Sequence, residues 1–193
     1  ITLYGTAQSV EVSYTVLCHI KLLVLREPKI LQGHFRDFFL RQNDPTFMKS
    51  AKIEILTAVA CEANAKEITE EFSEYVGDAS RDISQLAIEC MGKVALNVES
   101  ASKETLQLFL GLLGMDIEHV RGQTLVAMKD FLRKYNDIDT VRPFLDTIVD
   151  KYRNLSFGDD ESKIALAWVL GEFGEHIDDL PYILEGMCAS FKD

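Results

Sequence analysis

Glu172, Glu175 and His176 come nearest, of all residues in this chain, to the types and spacing of a hydrolytic metal site. They lie in the stretch ALAWVLGEFGEHIDD, residues 165–179, beside Trp168, the only tryptophan. Glu172 and His176 are four apart, which puts them on one face of any helix that runs through both. A catalytic zinc, however, needs three protein ligands and an open position, and the HxxEH pattern asks for a histidine where Glu172 stands. The remaining histidines, His19, His34 and His119, are single and scattered. The stretch therefore reads as a solvated, charged helix end rather than a metal centre.

Other chemically suggestive groups have plainer readings. Cys18 and His19 are adjacent, and helix neighbours point about 100° apart, so they do not form a nucleophile and its base. Cys18, Cys61, Cys90 and Cys188 make no CxxC pair, which excludes a zinc knuckle or a thioredoxin-like motif. Each stands among apolar residues at helical spacing, as expected of small buried thiols in a reducing compartment. The glycines of GLLG, residues 111–114, lack the Lys-Ser/Thr that a phosphate-cradling loop requires, and a helix break explains them. Lys129, Arg133 and Lys134 are placed to oppose the negative end of a helix dipole, or to contact a partner; a charge reversal at Lys134 should leave the fold nearly unchanged. Asp159, Asp160 and Glu161 precede a helix and suit its positive end. Asn154-Leu155-Ser156 spells a glycosylation sequon, which matters only in a secreted chain.

The elements that hold these residues are helical. At 193 residues and 47% hydrophobic content the chain buries a real core, and its formal charge of −11 argues against a nucleic-acid backbone as ligand. The longest run free of charge, Thr105 to Met115, falls well short of the roughly 18 to 20 residues that span a bilayer. The chain opens on Ile1 without a leader pattern, so residues 1–193 are expected to be one helical-repeat segment cut from a longer protein. From Val120, the positions Thr124, Ala127, Met128, Phe131 and Tyr135 fall on one helical face. Strand signals are missing: there is no sustained period-two alternation and no Asn-Gly or Asp-Gly hairpin. Pro28, Pro45 and Pro181 fit helix starts, and Pro143 fits the first turn of another helix.

Stacking the helical segments reveals a repeat. TVLCHIKLLVL, AKIEILTAVAC, QLAIECMGKVA, TLVAMKDFLRKY and ALAWVLGEFGEH share an apolar core, anchored at Ile20, Leu56, Met91, Met128 and Val169. After each comes a shorter amphipathic segment: ILQGHFRDFFL, EITEEFSEYV, ETLQLFLGLLG, VRPFLDTIVDKY and PYILEGMCASF. This predicts an all-α chain, an α-solenoid of about five HEAT/armadillo-type helical hairpins in which each pair buries its neighbour's face. Residues Ile164 to Leu170 are apolar on every side, so Trp168 is expected in the core, where its loss to alanine would cost about 3 to 5 kcal/mol. An extended stack of helix pairs binds proteins more readily than it builds a catalytic cavity, and no catalytic, metal-binding or cofactor-binding residue is assigned.

Four motifs in order carry a resemblance. Asn43-Asp44-Pro45 precedes a helix start with Lys49 and Lys52; Lys129-Asp130 runs on to Arg133-Lys134-Tyr135; and Ala165, Trp168, Gly171 and Glu172 form an A-x-x-W-x-x-G-E helix. In this order, and from about Val10 to Phe191, the chain resembles the trunk of a beta-adaptin, the large beta subunit of heterotetrameric adaptor protein complexes. Leu17-Cys18-His19-Ile20 and Pro181-Tyr182-Ile183-Leu184-Glu185 look closest to the beta subunit of adaptor complex four. Asn136 departs from the pattern, standing where the family often has proline.

The resemblance implies a non-enzymatic, cofactor-free scaffold of a vesicle coat, paired with a second large chain and holding a medium and a small chain. It further implies cytoplasmic residence, with peripheral attachment to trans-Golgi or endosomal membranes through the assembled complex. The matched positions are transferred only as a family signature with a structural role. The alternative, a karyopherin-like transport receptor for basic cargo, requires acids on consecutive inner helices, whereas here they spread over loops and helix starts.

Overall fold

A computed structural model of the chain describes residues 9–135, 138–151 and 159–190. Among these residues there are nine α-helices and no strand: α1 Val10–Arg26, α2 Thr46–Val59, α3 Ala65–Tyr75, α4 Arg81–Asn97, α5 Ser102–Leu113, α6 Glu118–Lys134, α7 Ile138–Lys151, α8 Asp160–Glu172 and α9 Leu180–Ser190. The order is that of HEAT/armadillo-type helix pairs. The chain forms two compact units, Ile1–Thr105 and Leu106–Asp193.

In the first unit the longer helices stack on one another, α1 against α2 and α2 against α4, while α3 packs against α4. Helix α2 is the centre of this stack and buries Met48, Ala51, Lys52, Ile53, Ile55, Leu56 and Val59. Helix α4 buries a comparable face, including Ile83, Ala87, Ile88, Met91 and Val94. Helix α1 buries only Leu17 and Val24 and leaves Leu22 60% and Leu25 63% exposed. Its partner segment departs from expectation. ILQGHFRDFFL is no α-helix but a pair of 3₁₀ turns, Pro28–Ile30 and Gln32–Phe38. Pro28 starts the first turn and His34 breaks the second with φ −118° and ψ 18°, so α-helical hydrogen bonding never builds up between them. Phe35 and Phe38 still reach the core, so the segment keeps its packing role without a regular helix.

The strongest constraint in this unit is an ion pair inside the core. Lys52 lies on the buried face of α2 with 0% of its side chain exposed, and its ammonium donates to Asp44 Oδ2 at 2.5 Å and to the Phe39 carbonyl at 3.2 Å. Asp44 Oδ2 also accepts from the Arg41 amide at 2.8 Å. Pro45 follows as the N-cap of α2, and its carbonyl accepts from the Met48 and Lys49 amides. Lys49 then crosses to Asp78 at 2.5 Å, tying the start of α2 to the turn before α4. Asn64 sits buried at the start of α3, accepting from the Cys61 amide and donating to the Val59 carbonyl. The Tyr75 hydroxyl accepts from the Leu40 amide and donates to Glu71, and burial raises its pKa.

In the second unit α6 packs against α8. Asp159 caps α8, its carboxylate accepting from the Ser162 amide at 2.7 Å and from the Ser162 hydroxyl at 2.6 Å. Gly122 of α6 faces that cap closely: a Cβ there would stand 2.4 Å from Ser162 Oγ. Helix α8 is two-sided rather than apolar all round. Ala165, Leu166, Val169 and Leu170 are buried, whereas Ile164 is 65% exposed and Trp168 half-buried. An isolated hydrophobic run does not say how many neighbours cover it, and here one face of α8 is left exposed among the described residues. Pro143 also departs from expectation, standing inside α7 rather than in its first turn.

Asp44→Ala should cost about 3 to 5 kcal/mol, because it leaves a buried ammonium without its carboxylate. Adding Lys52→Met to that variant should recover most of the loss, since the charge then leaves the core with its partner. Urea denaturation midpoints of the three chains decide this: if the single variant matches the double, the pair carries no such constraint.

Candidate functional site

The signature positions separate into two groups once placed in the fold. Asp44, Pro45, Lys49 and Lys52 belong to the structural cluster that starts α2, and Asn43 is exposed in the turn before it. Lys129, Asp130, Arg133 and Lys134 lie in the last turns of α6, followed by Tyr135 as its C-cap. Phe131 and Tyr135 stack with ring centroids 4.7 Å apart, and the Lys134 ammonium lies 5.0 Å from the Tyr135 ring centre. Trp168, Gly171 and Glu172 occupy the last turns of α8.

Packing of α6 on α8 brings the ends of these two motifs together. The Arg133 guanidinium lies 5.2 Å from the centre of the Trp168 ring, a cation–π contact. The Phe173 ring meets Trp168 edge-on, with centroids 6.3 Å apart at 87°. Around these residues opens a pocket of about 300 Å³ lined by Leu132, Arg133, Trp168, Glu172 and Phe173. Leu132 and Phe173 are buried, while Arg133 and Glu172 are exposed. Sequence reading singled out three of the five: Trp168 was expected in the core, whereas Arg133 and Glu172 were expected at charged helix ends. The tryptophan's type pointed inward, and only the position of α6 shows that its ring is shared between core and solvent.

The metal-like spacing does not survive folding. Helix α8 ends at Glu172, Phe173 leaves helical geometry at φ −108° and ψ 15°, and Glu175 and His176 fall in a separate 3₁₀ turn, Gly174–His176. The four-residue spacing of Glu172 and His176 thus no longer implies a shared face. All three side chains are exposed, and among the described residues no group of three His, Cys, Asp or Glu is placed to hold an ion.

The cysteines differ from expectation in their burial. Only Cys90 is buried, and burial pushes its thiol up to about 11. Cys18 and Cys61 are half-buried and Cys188 is exposed; all four are free. His19 is exposed beside Cys18. Asp159 caps α8 as its position suggests, with Asp160 and Glu161 in the first turn. Gly114 follows the end of α5, the helix break expected of GLLG. Asn136 and the Asn154-Leu155-Ser156 sequon lie outside the described residues.

Comparison with known proteins places this arrangement in context. The family model described as the adaptin N terminal region matches residues 6–193. Beta-adaptin-like protein A of Arabidopsis thaliana is 34% identical over 187 residues, covering 96% of this chain and 22% of that protein. AP-1 complex subunit beta-1 of Homo sapiens is 30% identical over 184 residues, covering 95% of this chain and 19% of that protein. AP-2 complex subunit beta of Schizosaccharomyces pombe is 26% identical over 188 residues, covering 96% of this chain and 27% of that protein. The chain therefore spans roughly a fifth to a quarter of the length of these curated relatives.

Because its ring is only half-buried, Trp168→Ala should cost about 2 kcal/mol, less than the 3 to 5 kcal/mol of a fully enclosed aromatic. Arg133→Gln should cost under about 1 kcal/mol, the scale of an exposed cation–π contact. Chemical denaturation midpoints of both variants check the pair of values; a loss at Trp168 of 4 kcal/mol or more would return the ring to the core.

Proposed function

The chain belongs to the adaptin N-terminal region family, and from that premise we propose that it is part of the trunk of a beta-type large subunit of a heterotetrameric adaptor complex. It acts as a non-enzymatic scaffold, pairing with a second large chain and holding a medium and a small chain. The observation that carries this reading is the family match over residues 6–193, joined by relatives whose names are those of adaptor-complex beta subunits.

Physical features favour the same reading. Stacked helix pairs offer long faces rather than a deep cleft, the geometry of a protein that works by contact. The exposed apolar residues of α1, Leu22, Leu23 and Leu25 among them, support residues 1–193 as one segment of a longer helical trunk, whose neighbouring helices cover that face. The net charge of −11 disfavours nucleic acid as a partner. Membrane attachment is peripheral and runs through the assembled complex: among the described residues, no helix is long and apolar enough to cross a bilayer.

Vesicle transport and protein sorting from trans-Golgi or endosomal membranes, on the cytoplasmic side, is the finer form of the proposal and rests on the beta-adaptin resemblance. Assignment to adaptor complex four rests on Leu17 to Ile20 and Pro181 to Glu185 alone. The relatives named above carry the names of complexes one and two or no number, so the subtype is left to the composition of the complex. A karyopherin-like receptor is disfavoured by the family match.

Affinity purification of the full parent chain from cytosol, with mass spectrometry of what co-purifies, should yield a second large adaptin with one medium and one small chain, and the identity of those chains names the subtype. A small GTPase with basic cargo, in place of those chains, refutes the adaptor reading and keeps only the helical repeat.

A further inference from the structure

The repeats of the first unit are tied together differently at its two edges. Each repeat there is a longer helix, α1, α2 or α4, followed by a second segment: residues 28–38, α3 or the start of α5. One edge carries the turns from longer helix to second segment; the other carries the turns that lead on to the next longer helix. At this onward edge the ties between repeats are shielded from water. The Lys49–Asp78 pair joins the start of α2 to the turn before α4, with only 17% and 15% of the two side chains exposed. The buried Tyr75 hydroxyl accepts from the Leu40 amide one repeat back, and the buried Ser84 hydroxyl of α4 donates to the Val76 carbonyl. The Tyr14 and Phe47 rings meet edge-on at the starts of α1 and α2.

Toward the opposite edge the ties are exposed ion pairs. Lys21 meets Glu54 across the second halves of α1 and α2. Arg36 donates through Nε and Nη2 to both carboxylate oxygens of Glu67, at 2.5 and 2.7 Å. Lys66, next to Glu67 in the first turn of α3, reaches forward to Glu104 in the first turn of α5 at 2.9 Å. Side-chain exposure in these three pairs runs from 37% to 70%. One uncharged bond also crosses here, from Asn64 to the Gln32 carbonyl, and at 3.4 Å it is long. Salt screens exposed pairs and leaves shielded ones nearly intact. In a helical repeat a small rotation at each boundary sums to a change of curvature, so ties spread along one edge bias the shape even though each adds little to stability.

We propose that the first unit bends about its shielded edge, and that the Lys21–Glu54, Arg36–Glu67 and Lys66–Glu104 pairs form a charge-operated latch along the other. Closed, the latch draws three repeats together; screened, it lets that edge open and the curvature change. The latch is a property of these repeats and does not depend on which chains they bind.

Distances across the two edges of the full parent chain test this. Fluorescent labels are introduced in pairs as unnatural amino acids at exposed positions: Lys29 with Glu99 across the latch edge, and Gln42 with Ala79 across the shielded edge. Energy transfer is read as salt is raised from about 0.1 M to about 1 M, which shortens the Debye length from about 10 Å to about 3 Å. The Lys29–Glu99 distance should lengthen while the Gln42–Ala79 distance holds. With Arg36→Gln and Lys66→Gln together, the first distance should be long already at low salt and lose most of its salt response. Arg36→Glu alone should lengthen it as well, and adding Glu67→Arg should bring it back. A Lys29–Glu99 distance that salt leaves unchanged, equal lengthening across both edges, an unaltered salt response in the Arg36→Gln, Lys66→Gln chain, or no recovery on adding Glu67→Arg overturns the proposal. The first two outcomes come from the chain without these substitutions, so a variant that loses helical circular dichroism does not shield the proposal from them.

Discussion

The first unit depends on a charge placed where a hydrophobic residue is expected. Lys52 projects from the buried face of α2, and α2 is the helix on which both α1 and α4 pack. A buried ammonium is costly unless its donors are used, and here Asp44 and the Phe39 carbonyl use them. Those acceptors stand in the segment just before α2. The pair therefore fixes how the irregular 3₁₀ segment returns to the helix, a task that apolar contacts, being non-directional, do poorly. Lys49 with Asp78 repeats the device on the other side of the helix start. Ions inside a helical stack add little net stability, but they penalise a shifted register heavily.

That device was the least legible part of the fold, while the stacking helices were the most. Periodicity alone marks Leu56, Met91, Met128 and Val169 as core, and each has 0% of its surface exposed. Ile20, the fifth anchor, is only half-buried, because α1 has a described helix on one side of it. A lysine on such a stripe reads as an interruption, and nothing in its spacing shows that Asp44 folds back to meet it. The 3₁₀ pair was obscured for a related reason: Phe35 and Phe38 keep a helical rhythm while Pro28 and His34 deny the segment helical hydrogen bonds.

The region around Trp168 shows the same limit from the other direction. A four-residue spacing has meaning only while the helix lasts, and α8 stops at Glu172, four residues short of His176. A tryptophan in an apolar run suggests the core, yet the count of apolar neighbours in sequence carries no information on which face of α8 meets α6. Gly122 shows how close that meeting is, since only a residue without a side chain fits against the Asp159–Ser162 cap. The approach that excludes a Cβ at one end of the α6–α8 contact leaves an open pocket at the other.

For a scaffold this division of labour has a consequence. Surfaces that bind partners must leave groups unsatisfied until the partner arrives, and such groups lower the stability of the free chain or leave it unchanged. In the first unit Lys52 and Asp44 are paired and buried, which serves the fold. In the second, Arg133 lies over Trp168 and lines a pocket with Glu172, and neither forms an ion pair among the described residues. Long charged side chains settle into an ion pair at a surface for little gain, because water solvates each of them nearly as well.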